Sequence, residues 1–407
     1  RLEQVRDKVL DKSLIAEKSI TKFFEAKELY LQRAEANLGQ TVDNQTIDAG
    51  AGYGTYGIAE GMTELFNSFQ SLSVSPTSTA ERQTVIFNAQ KIADKIKTVD
   101  RRLGDLRTAI NDEVQNVIKD VNSKVKEIAF IAVNIGNIEV VEGSANEVRD
   151  ALQEALETLS EYANISTSTN DDGQLNVFLD GVQVITENVM TKSVTMHTDS
   201  NGMSFLADGD TGNIINLKSG YLKGMINARD VGVKDLRDKA NILATQLITE
   251  VNTLHKTGYD LYGLNDSTAG LFTGTGAADM SVNAAIISDP RKLQGSSSAT
   301  EVSNNDVIRS IAALSSKTIT NLGGMTFNEY YGNTVSRFGQ DLALSKSQLN
   351  DQKTVQKMLE RQRESIMGVS VDEEVANLVI YQRAFQASAR LLSTMDGLLQ
   401  DVLNMTR

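Results

Sequence analysis

The chain has 407 residues, enough for two or three domains with a sizeable core. It carries 40 Lys+Arg against 53 Asp+Glu, a formal net charge of −13, which argues against nucleic acid, because phosphate binding needs a basic face. With no cysteine, disulfides, thiol catalysis and cysteine metal sites are excluded, and no apolar run is long enough to span a membrane.

Only two prolines, Pro76 and Pro290, occur in the chain, which leaves room for long helices. A first helix is expected from about Lys12 to Leu38, after a shorter amphipathic start around Leu2, Val5 and Val9. Residues 39–56 are polar and glycine-rich and read as a loop. A short helix from Glu60 to Leu72 should end before Pro76. Ser78 and Glu81 then form a capping box, with the hydroxyl set to hold the N–H three residues on. Behind it runs the longest seam of the chain: Val85, Ala89, Ile92, Ile96, Val99, Leu103, Leu106, Ile110, Val114, Val117, Val121, Val125, Ile128, Ala132 and Ile135. The steps are threes and fours, so residues 79–135 predict one helix roughly 85 Å long. Another capping box, Ser144 and Glu147, opens a helix to about Ala163.

The character changes over residues 164–222. Apolar and polar residues alternate through Leu175, Val177, Leu179, Val182 and Val184, then Phe205, Ile214 and Leu217. Asp172-Gly173, Asp180-Gly181, Asn201-Gly202 and Asp208-Gly209 supply turns. A small antiparallel β subdomain inserted between helices is expected. A helix seamed by Leu236, Ala240, Leu243, Leu247, Val251 and Leu254 follows, and residues 265–304 are irregular again. Helices near Asp306–Ser316 and from about Thr326 to Ser365 complete this part, the second seamed by Tyr331, Val335, Phe338, Leu342, Leu349 and Val355.

The pattern predicts a mainly α fold: an elongated bundle of long coaxial helices from both chain ends, with a small β insertion and a second, irregular one. The expected parts are 1–163 and 305–407 as the two halves of the bundle, 164–222 as the β subdomain, 223–264 as the returning helix, and 265–304 as the irregular insertion.

Signs of catalysis are sparse. His197 has no signposted partner, and His255, ahead of Lys256 and Gly258, suits a helix end. Asp208, Asp210 and Gly212 begin like a calcium loop, but its twelfth position is Ser219 rather than a bidentate Glu. There is no P-loop, G-x-S-x-G, H-E-x-x-H or dinucleotide fingerprint, so no catalytic residue, metal or cofactor is expected.

The last forty residues are the most informative. Ser370 and Glu373 make a capping box. Val371, Val375, Leu378, Gln382, Phe385, Ala389, Leu392, Asp396, Leu399 and Leu403 then recur as a heptad seam with two polar interruptions. A second stripe, Leu391, Met395, Leu398, Val402 and Met405, runs beside it. A helix apolar over so much of its circumference needs a partner. Val375, Leu378, Phe385, Leu392, Leu399 and Leu403 are the expected packing positions, and assembly is the expected function.

The run from Val369 to Asn404 resembles the C-terminal helix of the flagellar axial proteins, which include rod, hook and hook-associated proteins. Three further runs, Ser144–Ser166, Asp171–Ile185 and Val251–Asn265, followed by Asp289-Pro290, resemble in their order the hook-associated proteins at the junction of hook and filament. The resemblance implies terminal helices lining an inner tube, middle domains facing outward, and no enzymatic activity. The implied partners are the hook protein, the second junction protein (hook-associated protein 3), copies of the same chain and a flagellar export chaperone. The chaperone would cover Leu391, Met395, Leu398 and Val402, and export through the flagellar type III apparatus would place the protein outside the cell, in the flagellum. A hook or distal rod subunit is the nearest alternative; a secreted effector or enzyme on a helical scaffold is the alternative of another class. Arg1 is not a start methionine, and the family's small-residue, asparagine-rich leading segment is absent, so the chain is expected to be a fragment beginning after it.

Overall fold

The computed structural model describes residues 7–38, 57–142, 145–367 and 371–405. The chain divides into two units, one of Arg1–Leu14 with Lys357–Arg407 and one of Ile15–Gln356. In chain order the elements are α1 (Lys8–Leu38), α2 (Ile58–Val74), α3 (Thr79–Glu142), α4 (Asn146–Tyr162), β1 (Ile165–Thr169), β2 (Leu175–Leu179), β3 (Val182–Thr186), β4 (Val189–Met190), β5 (Val194–Thr198) and β6 (Ser204–Asp208). Then come α5 (Tyr221–Asn227), α6 (Lys234–His255), β7 (Phe272–Thr273), β8 (Ser281–Val282), α7 (Ala284–Ser288), α8 (Asp306–Ala313), α9 (Phe327–Met367) and α10 (Val371–Met405).

The larger unit is organised on α3. Half of its expected capping box forms: the Glu81 N–H donates to Ser78 Oγ at 3.3 Å, while the Ser78 N–H donates to the Ser75 carbonyl rather than to the Glu81 side chain. The helix runs past Ile135 to Glu142, 64 residues in all, and is ~96 Å long. Every seam position from Val85 to Ile135 is buried. Helices α2, α4, α5 and α6 pack against α3, as do strands β4, β5 and β6, so one helix gives the other elements a common floor. Phe66 on α2 stacks on Phe327 at the start of α9 with ring centroids 5.9 Å apart. That start carries a complete capping box, in which the Glu329 N–H donates to Thr326 Oγ1 and the Thr326 N–H donates to Glu329 Oε2. Along α9, Tyr331, Phe338 and Leu349 are buried, but the expected seam member Val355 is exposed. The capping boxes at Ser144 and Ser370, the loop 39–56 and the start around Leu2 and Val5 lie outside the described residues.

The β region forms two separate sheets. Strands β1-β2-β3-β4 make an antiparallel meander, and β5 pairs with β6. Asp180-Gly181 turns β2 into β3, while Glu187 and Asn188, at φ 51° and 69°, turn β3 into β4 without a glycine. Asn188 tolerates that left-handed conformation and also accepts from the Leu175 N–H at 2.6 Å. No strand forms at Ile214–Leu217. Ile214 makes a single bridge to Ala207, and the Leu217 N–H turns back onto the Ile215 carbonyl.

Helix α5 and α6 are one continuous helix joined by a π-helical segment, Ala228–Val233. Arg229, in that segment, is fully buried. Its Nη1 donates to Asn111 Oδ1 on α3 at 2.8 Å and to the Ser204 carbonyl on β6 at 2.9 Å. Its Nη2 pairs with Asp230 at 2.7 Å, and the Phe205 ring covers the guanidinium. Asn111 Oδ1 also accepts from the Ser204 N–H at 2.7 Å. A buried charge is tolerable only when paired and hydrogen-bonded, and these partners meet that condition. Together they tie the β5–β6 hairpin to α3. Nearby, Gly224 lets α5 lie directly on α1: a Cβ there would sit 2.4 Å from the Phe23 carbonyl oxygen and 2.7 Å from the Ala26 Cβ. Gly224→Ala should therefore cost about 1–3 kcal/mol by overpacking. Chemical denaturation reads this directly, and an unchanged midpoint would mean that α5 and α1 can separate without loss.

Candidate assembly surface

Helix α10 gathers the sequence-predicted packing residues in the smaller unit. Every described side chain from Val375 to Leu399 is exposed. On the expected seam, Val375 and Leu378 are each 56% exposed, Phe385 76%, Leu392 69% and Leu399 61%. On the second stripe, Leu391 is 64% exposed, Met395 54% and Leu398 61%. Val402 and Leu403 lie on the helix, with side chains outside the described set. Isolated exposed apolar residues are ordinary, but a continuous double stripe of Leu, Phe and Met is not.

The structure adds residues that the heptad reading passed over. Ile380 and Tyr381 are 61% and 74% exposed. Ile380 extends the second stripe back through Ala384 and Ala387 to Leu391, in steps of four, three and four. Tyr381 stands beside Leu378 and Phe385, and the three frame a shallow depression with Gln382 and Gln386. The signal was legible in the run Leu378–Tyr381, whose four consecutive apolar side chains cover the full turn of a helix. The seam's interruptions, Gln382 and Asp396, are exposed as well. Elsewhere in this unit Met358 and Ile366 on α9 are exposed, while Leu10 and Leu14 on α1 are buried.

The residues weighed for catalysis lie apart in the larger unit. His197 is exposed on β5. His255 ends α6, fully buried and hydrogen-bonded to the following loops. Asp208 closes a turn: its Oδ1 accepts from the N–H groups of Asp210 and Thr211 at 2.8 and 3.1 Å. Those bonds, with Lys192 alongside, hold its carboxyl below the usual range. Lys192 also pairs with Asp210 at 3.1 Å. These acidic groups are therefore occupied locally.

Comparison with known proteins points the same way. The family model described as "Flagellar hook-associated protein FlgK helical domain" matches residues 45–272. A second, "Flagellar basal body rod FlgEFG protein C-terminal", matches residues 355–405 and so spans α10. The flagellar hook-associated protein 1 of Escherichia coli is 23% identical, over 86% of this chain and 81% of its own. That of Bacillus subtilis is 21% identical, over 99% of this chain and 84% of its own. The solved flagellar hook junction protein FlgK of Burkholderia pseudomallei shares the fold, with a TM-score of 0.54 at 19% identity. That likeness covers 64% of this chain and 46% of the solved one.

The seams of α3 and α10 should respond differently to truncation in the isolated chain. Ile110→Ala on α3 opens a core cavity and should cost about 2–5 kcal/mol. Phe385→Ala on α10 should change stability by no more than about 0.5 kcal/mol. Denaturant unfolding distinguishes them, and a large loss from Phe385→Ala would mean that its side chain is covered in the free subunit.

Proposed function

Because the chain belongs to the flagellar hook-associated protein FlgK family, we propose that it is a structural subunit joining hook to filament in the bacterial flagellum by axial self-assembly. The observation that carries this reading is the exposed double stripe of α10. Full burial of one large apolar side chain contributes about 1.5–3 kcal/mol, so Val375, Leu378, Phe385, Leu392 and Leu399 together offer on the order of 10 kcal/mol. Losing the translational and rotational freedom of one subunit costs about 4–15 kcal/mol. A single pairwise contact is therefore marginal. Heterologous contacts repeated around an axis give each subunit two such faces, and the balance then favours assembly. Subunits of this kind stay apart in solution and add where a ring of partners is already presented.

In this reading α10 packs against copies of the chain, the hook protein and hook-associated protein 3. Leu391, Met395, Leu398 and Val402 are covered by an export chaperone before passage through the flagellar type III apparatus. The absence of cysteine suits a chain that travels unfolded, since no crosslink has to be broken or remade. A hook or rod identity would account for residues 355–405 but not for the helical-domain match over 45–272.

The Leu392→Asp, Leu399→Asp double variant tests the proposal. It should leave the thermal unfolding of the isolated protein unchanged, because both positions are exposed. Cells carrying it as their only copy should show hooks without filaments in electron micrographs. Filaments of normal number on those cells would remove α10 as the assembly face.

A further inference from the structure

The irregular segment 256–304 is knit internally by turns, the short helix α7, the pair β7–β8 and a bridge between Tyr259 and Ser296. Side chains of the neighbouring helices fasten its backbone to the bundle. From α6, Asn252 bonds both the N–H and the carbonyl of Phe272, at 3.0 and 2.8 Å. Asn241 accepts from the Ala277 N–H at 2.9 Å, and Thr245 donates to the Thr275 carbonyl at 3.0 Å. The last member of this face is His255.

His255 and Arg82 grip the same peptide unit from two helices. Arg82, buried on α3, donates through Nη1 to the Leu293 carbonyl and through Nε to the Pro76 carbonyl. The next atom along, the Gln294 N–H, donates to His255 Nε2 at 3.1 Å. That bond requires Nε2 to be unprotonated, which leaves the proton on Nδ1, facing the Ala269 carbonyl at 3.3 Å. One neutral ring thus ties two separate loops to the end of α6. Of the side chains in this face (Asn241, Thr245, Asn252 and His255), only His255 is titratable.

We propose that His255 is an acid-operated latch, and that a proton on its Nε2 releases segment 256–304 from α3 and α6 while the helices stay folded. The added N–H would point at the Gln294 N–H, replacing a hydrogen bond by two opposed donors. The new charge would also stand near the Arg82 guanidinium, in a site closed to water. Lys256 adds a further positive charge on the α6 side. Asp266 is the opposing carboxylate on the segment itself. Hydrogen bonds from the Thr268 side chain and N–H hold Asp266 below the usual range, so it stays ionised, but it is occupied by Thr268 and Ala269. Asp260, also in the segment, acts on Arg82 rather than on the ring.

Burial, with Arg82 adding to it, pushes the His255 ring down from 6.5 to about 4. The open segment exposes a ring with an ordinary affinity for protons, while the closed one does not bind them until pH nears 4. Closure is therefore fully favoured above pH 6.5 and weakens as pH falls from there toward 4. Each opening event takes up one proton in that window, so the opening constant should rise by up to tenfold per pH unit, about 100-fold between pH 7 and pH 4.

Amide hydrogen exchange of the full chain between pH 7 and pH 4, corrected for intrinsic rates, reads this change. The amides of Phe272, Ala277 and Gln294, which donate to α6 side chains, should lose protection by that factor. Amides along α3 should not. His255→Gln keeps an acceptor and a donor but cannot titrate, so its segment should show no such pH dependence. Protection that is flat with pH in the unmodified chain, a slope that persists in His255→Gln, or parallel loss along α3 would each overturn the latch. Should His255→Gln fail to fold, imidazole resonances of the unmodified chain decide. The latch requires that the resonances of His255 and of segment 256–304 titrate together, well below pH 6.5; a His255 ring titrating near 6.5, or without the segment, refutes it.

Discussion

A helix with a continuous apolar seam cannot bury that seam by itself, and the larger unit is a solution to that constraint on α3. From Val85 to Ile135 the seam is covered in turn by helices and strands that reach it from distant parts of the sequence. Each neighbour meets a part of α3 and brings its own polar fastening. Lys91 on α3 pairs with Glu64 on α2 at 2.6 Å, Asp100 with Arg237 on α6 at 2.8 Å, and Asn122 donates to the Val194 carbonyl on β5 at 2.7 Å. The apolar seam supplies most of the stabilisation. The polar pairs at its margins, being partly exposed, contribute less and fix which neighbour lies where.

The same heptad pattern has the opposite fate on α10, where the seam is bare over every described position. Periodicity alone does not distinguish the two, because it reports that a face wants burial and not what buries it. What separated them in the sequence was breadth. The α3 seam is one stripe with charged residues opposite, whereas Leu391–Met405 is apolar on a second side as well. A single stripe is satisfied by one layer of neighbours. Two stripes need contacts from two directions, which identical subunits arranged around an axis can provide.

Other features were illegible for definable reasons. The turn at Glu187–Asn188 lacks the glycine that marks the other hairpins, and its left-handed backbone is sustained by a side-chain bond to Leu175 that only the fold creates. The π segment and Arg229 could not be read because a buried arginine has no pattern of its own. Its cost is met by Asn111, Ser204 and Asp230, and the first two lie far from it in sequence. The strand expected at Ile214–Leu217 had no edge to join beyond Ala207, and it is Ile215 and Leu217, two apart, that are buried there. Val355 continued the α9 period on paper, yet burial stops at Leu349. In each case local preference was overruled by what the chain met in three dimensions.

Gln382 and Asp396 bear on how an assembly face can be both adhesive and selective. In a purely apolar seam, neighbouring registers differ by whole heptads and are nearly equal in energy. A polar side chain at such a position lowers stability and penalises every register in which it is buried without a partner. The two interruptions on α10 stand fourteen residues apart, two full heptads. Sliding by one heptad would set each polar residue against an apolar position of the neighbour, and only particular alignments place both where water or a hydrogen-bonding group can reach them. In the proposed junction this would let α10 keep enough apolar surface to assemble while rejecting misaligned contacts. A fully apolar helix of the same length would adhere more strongly, and to more surfaces.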